Sequence, residues 1–113
     1  MTYDWKLYLC DDQGKKFFGL GPMTLLLKVK EYGSLKKAAE DMSLSYHKAL
    51  NMVKAAEAGF GFSLMVKKIG GERGGGSTLT PEALRIIETY QTFETRLDQS
   101  AGQIFSELFS SQA

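Results

Sequence analysis

Four polar side chains in this sequence share one side of a helix. His47, Asn51 and Lys54 cluster when successive residues are turned by about 100°, with Lys48 at their flank. The set is cationic and carries no carboxylate. A Lys ammonium bonds phosphate oxygens or the acceptors of guanine, and an Asn amide can bond adenine through two atoms. A second cationic set follows, with Lys67 and Lys68 ahead of Arg73 in Gly70-Gly71-Glu72-Arg73-Gly74-Gly75-Gly76-Ser77. Five glycines in eight residues let a backbone come close to phosphates or a minor groove, and Arg suits a narrow groove. The chemistry in view is non-covalent recognition of a polyanion. The plainer alternatives are a solvated Lys-rich helix face and a loop without function.

Other chemistries find little support. A nucleophile needs a base beside it. The one His lies on an exposed helix face, the one Cys (Cys10) lies in an N-terminal hairpin, and no carboxylates pair at a pocket. No enzyme and no cofactor are expected. A nucleotide P-loop needs Lys before its closing Ser or Thr, and Gly76 stands there. One cysteine permits neither an intramolecular disulfide nor a thiolate metal cluster, which fits a reducing cytosol. No apolar run approaches a membrane span, and the N-terminus lacks the pattern of a signal peptide. The expectation is a cytoplasmic protein with no membrane partner.

The elements that must position the polar sets begin at Ser34. Its hydroxyl can cap a helix, after which Leu35, Ala38, Ala39 and Met42 recur at helical spacing. Ser45 caps again, and Tyr46, Ala49, Leu50 and Val53 restart the period. Two short helices with a tight turn make a helix-turn-helix over residues 34–58. The small pair Ala38-Ala39 suits the point where the helices cross. Ser43 holds the turn position where the backbone tends to positive φ. The second helix is then the recognition helix, with its polar face outward.

Around this motif the sequence predicts an N-terminal β-hairpin over residues 5–19, from the alternation Trp5 to Leu9, the turn residues Asp11-Asp12-Gln13-Gly14 and the run Lys15 to Gly19. A helix starts near Pro22 and stops at Gly33. Gly59-Phe60-Gly61 breaks the recognition helix. Residues 62–79 then read as a hairpin, a wing whose tip carries Arg73. Thr80-Pro81-Glu82 opens a last helix over 81–113 with a cap, a first-turn proline and an acidic residue. Its apolar residues Ile87, Tyr90, Phe93, Leu97, Ile104 and Leu108 run close to a heptad seam. So long a helix cannot bury itself on so small a body, so a second copy is expected to cover it. Its far half could instead fold back or fray.

Charge follows the same division. Residues 1–80 carry 12 Lys and Arg against 8 Asp and Glu, and residues 81–113 carry 2 against 5. A basic body with an acidic tail fits a body that meets phosphate. The fold class expected is α+β, mainly α. It comprises a winged helix-turn-helix domain over 1–80 and a dimerisation helix over 81–113.

Gly33-Ser34 with Ala38-Ala39, Leu44-Ser45-Tyr46, Lys48-Ala49, and Gly70-Gly71 with Arg73 through Thr80 carry a resemblance. On these residues the stretch 5–97 resembles the N-terminal winged-helix domain of ModE-type molybdate-responsive regulators and, more distantly, the LysR-type DNA-binding domain. The glycine-rich wing followed by Leu-Thr-Pro-Glu is its most specific element. Ala83 departs from the Gly often found there. The resemblance implies a homodimeric, sequence-specific regulator bound to double-stranded DNA. Its DNA-contacting set would be Ser45, Tyr46, His47, Lys48, Asn51 and Lys54 on the helix, with Lys67, Lys68, Arg73 and Ser77 on the wing. The molybdate-binding half of such regulators has no counterpart here, so no molybdate site is expected. The competing expectation is a winged-helix module for protein interaction or dimerisation without DNA reading.

Overall fold

The computed structural model describes residues 1–68 and 76–110. The chain forms β1 (Leu9–Cys10), β2 (Lys16–Phe18), α1 (Leu20–Tyr32), α2 (Leu35–Asp41), α3 (Tyr46–Phe60), β3 (Met65–Lys67), β4 (Ser77–Leu79) and α4 (Pro81–Phe109). Each helix of the central motif starts where a side chain satisfies a free backbone N–H. Ser34 Oγ accepts from the Lys37 amide and Ser45 Oγ from that of Lys48, at 3.1 and 3.0 Å. Thr80 Oγ1 does the same for Ala83 and also donates to the Ser63 carbonyl, so it joins α4 to the wing. Gly33 closes α1 in the left-handed conformation at φ 67°. Ser43, in the turn between α2 and α3, has φ 57°, the one positive value outside glycine among the described residues.

α1 lies between two apolar clusters. Leu25 and Val29 pack with Leu35, Ala38, Ala39, Ala49 and Val53, which is the core of the helix-turn-helix. Ala38 and Ala39 are fully buried, and their small size lets α3 cross α2 closely. On its other side α1 places Met23 and Leu26 against Phe18, Ala56, Leu64, Ala83, Ile87 and Tyr90. Phe18 meets Phe60 and Tyr90 edge-on at 5.1 and 5.2 Å, the preferred geometry for ring quadrupoles. Ala83 is fully buried in this cluster. Lys28 pairs with Asp41 and ties α1 to α2. The hydrogen bond between them raises the lysine pKa and lowers that of the carboxyl.

Two expectations are corrected. Gly59 does not break α3, which continues to Phe60 and ends at Gly61 with φ 85°. A Cβ on Gly59 would lie 2.1 Å from the Phe17 ring, so this glycine serves the packing of β2 on α3. The N-terminal hairpin is also shorter than residues 5–19. Leu9 pairs with Phe18 and Cys10 with Lys16, with an irregularity between them. Residues 1–8 form no ladder. Trp5 and Leu7 turn toward α4 instead. The Trp5 indole Nε1 donates to Asp98 at 3.2 Å and the Tyr90 hydroxyl donates to the Leu7 carbonyl at 2.9 Å.

Candidate nucleic-acid interface

The wing is a two-stranded antiparallel hairpin pairing Met65 with Leu79, Val66 with Thr78 and Lys67 with Ser77. Its root is fastened to the corner between α1 and α2. The Ser77 amide donates to the Gly33 carbonyl at 2.9 Å, and the Lys68 amide donates to the Gly76 carbonyl at 2.8 Å. A Cβ on Gly76 would lie 2.6 Å from the Gly33 oxygen. Glycine at 76 is therefore what lets the wing approach the corner so closely.

This approach makes a groove of about 250 Å³ between the wing root and the helix-turn-helix, lined in part by Ser34, Lys36, Tyr46, Lys67, Lys68 and Ser77. Three lysines from two elements meet there with a phenol from the first turn of α3. Beside it, the outer face of α3 carries His47, Lys48, Asn51 and Lys54, all exposed, while Ala49, Val53 and Ala56 are buried beneath. Glu57, the one carboxylate of α3, turns away from this face. Its Oε2 accepts the Leu64 amide at 2.8 Å, fastening the end of α3 to the start of the wing. The wing-root lysines thus meet α3 at its first turn, through Tyr46.

Several expected site residues take narrower roles. Ser45 Oγ caps α3 by accepting the Lys48 amide, and the residue is exposed. Ser77 is largely buried on the groove floor, and its backbone anchors the wing. Tyr46 is exposed at the groove. Arg73 lies outside the described residues. Lys36 was not anticipated. In sequence it is one more surface lysine in a short helix, and only the wing folding back against the start of α2 brings it beside Lys67 and Lys68.

The expected dimer seam divides in two. Ile87 and Tyr90 are 6% and 3% exposed, inside the domain's own core, and so are not available to a second copy. Burial also pushes the Tyr90 phenol pKa up, with a smaller contribution from Glu94. At about 100° per residue, Ile87 shares a stripe with Glu94, Asp98 and Phe105, and Tyr90 lies between that stripe and Leu97. Phe93, Leu97 and Ile104 form a second stripe roughly 100° round from Ile87, on the far side of Tyr90. Phe93, Ile104 and Leu108 are exposed and Leu97 is half-buried. This stripe borders an open depression of about 570 Å³ that also takes in Thr89, Arg96 and Ser100. Among the described residues no helix is long and apolar enough to cross a membrane, and no cluster of His, Cys, Asp and Glu could hold a metal ion.

Three helices with a hinged second pair, followed by a hairpin wing and a long helix, define a winged helix-turn-helix. The chain is similar to the transcriptional regulator ModE of Haemophilus influenzae, at 31% identity over 70 residues. That match takes in 62% of this chain, which spans little more than a quarter (28%) of the ModE length. No protein-family model matches. Among solved structures, the fold is shared with the CbnR DNA-binding domain in its complex with DNA. The TM-score is 0.56 at 20% identity, over 77% of this chain and 94% of that one. CbnR itself, a LysR family transcriptional regulator, gives a TM-score of 0.55 at 20% identity, over 76% of this chain and 28% of that one.

Proposed function

We propose that the chain is the DNA-binding part of a transcription regulator, acting in the cytoplasm as a homodimer and without enzymatic activity. One observation carries the reading. The groove of Lys36, Lys67 and Lys68 is bounded by Tyr46 in the first turn of α3, the helix whose exposed face carries His47, Lys48, Asn51 and Lys54 and no carboxylate, a pairing that suits a major-groove reader with a flanking phosphate clamp. The winged-helix fold, which CbnR presents in a DNA complex, and the similarity to ModE support it. In this reading Asn51 and Lys48 read base edges, and His47 and Lys54 flank them. Tyr46, Lys36, Lys67, Lys68 and Arg73 meet phosphates or the adjacent minor groove. The free stripe Phe93, Leu97 and Ile104 pairs with a second copy, so that two reading heads meet one duplex.

Selection of bound sequences from a random duplex pool, at stated salt, tests this. Recovery of a sequence with twofold symmetry is expected. Lys36→Ala and Lys67→Ala should each weaken binding to all sequences alike and lower the salt slope by about one unit. Asn51→Ala should relax the preference at one base position, by about 1–3 kcal/mol. Binding that is absent, or indifferent to salt, would count against the reading. The free apolar stripe of α4 by itself would also suit a protein-interaction module. Failure of a heparin or DNA column to retain the protein at low salt would favour that reading.

A further inference from the structure

We infer that the N-terminal arm, residues 1–8, is a splint for α4 that fixes the spacing of the two half-sites a dimer recognises. The inference rests on the dimeric DNA-binding reading above and goes beyond it.

α4 leaves the body soon after Tyr90 and continues to Phe109, roughly 28 Å further at 1.5 Å per residue. A lone helix of that length is marginal in water, and Gly102 weakens it further. The arm supplies the missing packing. The Tyr3 ring lies 4.8 Å from that of Phe105, which in turn lies 5.1 Å from Phe109. The Trp5 indole donates to Asp98, and the Leu7 carbonyl accepts from Tyr90. A Cβ on Gly102 would meet the Tyr3 hydroxyl at 3.4 Å. The arm therefore runs antiparallel along α4, on the continuation of the stripe that faces the core. It leaves the Phe93–Leu97–Ile104 stripe free for a partner.

The two jobs of α4 are thus mechanically linked. The pairing stripe sits on the overhang, the reading head sits on the body, and the arm spans both. A tilt of about 10° over roughly 28 Å moves the tip by about 5 Å. That exceeds the 3.4 Å rise of one base pair. Holding a half-site spacing to one base pair demands a helix stiffer than an unsupported one. Tyr3 and Trp5 are spacing-determining residues in this sense, though neither faces the duplex.

The test measures binding to duplexes carrying two copies of the selected half-site at spacings varied one base pair at a time, and to a single half-site. The wild type is expected to show one sharp optimum. Tyr3→Ala combined with Trp5→Ala should spread binding over two or three neighbouring spacings and lower affinity at the optimum by about tenfold. Single-half-site affinity should stay within about twofold. Tyr3→Phe keeps the ring contact and should keep the sharp optimum. Hydrogen exchange on the double variant should show faster exchange confined to residues beyond Tyr90 of α4. An unchanged optimum in the double variant overturns the inference and leaves the dimeric reading standing. Equal loss of single-half-site binding also overturns it, because the arm would then support the reading head. A wild type indifferent to spacing overturns the dimeric reading and this inference together.

Discussion

At the scale of the residue, the turn of the helix-turn-helix holds a stability reserve. Ser43 sits at φ 57°, a conformation that costs an L-residue about 1–2 kcal/mol. Ser43→Gly removes that strain but adds freedom to the unfolded chain, which takes back part of the gain. The expected net is a stabilisation of about 0.5–1 kcal/mol in urea unfolding, with DNA affinity unchanged because the residue lies off the outer face of α3. The strained position was legible in the sequence, and so were the caps at Ser34, Ser45 and Thr80. A cap joins groups three residues apart and needs nothing from the rest of the fold. Lys36 was illegible for the opposite reason. Its neighbours Lys67 and Lys68 are some thirty residues away in the chain, and a lysine in a short exposed helix carries no local mark of its place in a groove.

At the scale of the element, the wing acts as part of the body through one close contact. Gly76→Ala places a methyl group 2.6 Å from the Gly33 oxygen, so the hairpin root must shift and its hydrogen bond to Gly33 must lengthen. Affinity is expected to fall by about tenfold, or 1.4 kcal/mol. Base preference should be preserved, since α3 is untouched. Anisotropy titrations combined with sequence selection would separate the two effects. An altered base preference would mean that wing and helix are not independent contributors. Gly33 and Pro81 marked a helix stop and a helix start, whereas α1 begins at Leu20, two residues before Pro22. Gly59 misled because glycine reads as a breaker, whereas here it makes room for the Phe17 ring. Trp5 misled as well. Alternation predicted a strand, but the partner of that segment is a helix from the far end of the chain.

At the scale of the whole molecule, α4 projects from the folded body and carries the stripe proposed to pair with a second copy. Leu97→Glu should leave the fold intact, because Leu97 stands outside both core clusters. It should convert a dimer to a monomer in sedimentation and reduce binding to paired half-sites to that of a single one. A dimer that survives this change would place the interface elsewhere. The length of α4 predicted apolar residues left uncovered by the body, and Phe93, Ile104 and Leu108 are exposed, while the heptad spacing set the residues of the expected seam. That spacing could not show where along α4 the body ends, and so it assigned to a second copy Ile87 and Tyr90, which pack in the domain's own core. The extents of 63 × 29 × 24 Å have a further consequence. Basic residues dominate the body and acidic ones the projecting helix, so the molecule is an elongated electrical dipole. In the field of a polyanion such a dipole turns before it touches, basic end leading. Collisions therefore arrive already oriented, and dissolved ions that weaken this torque should slow capture as well as loosen the complex.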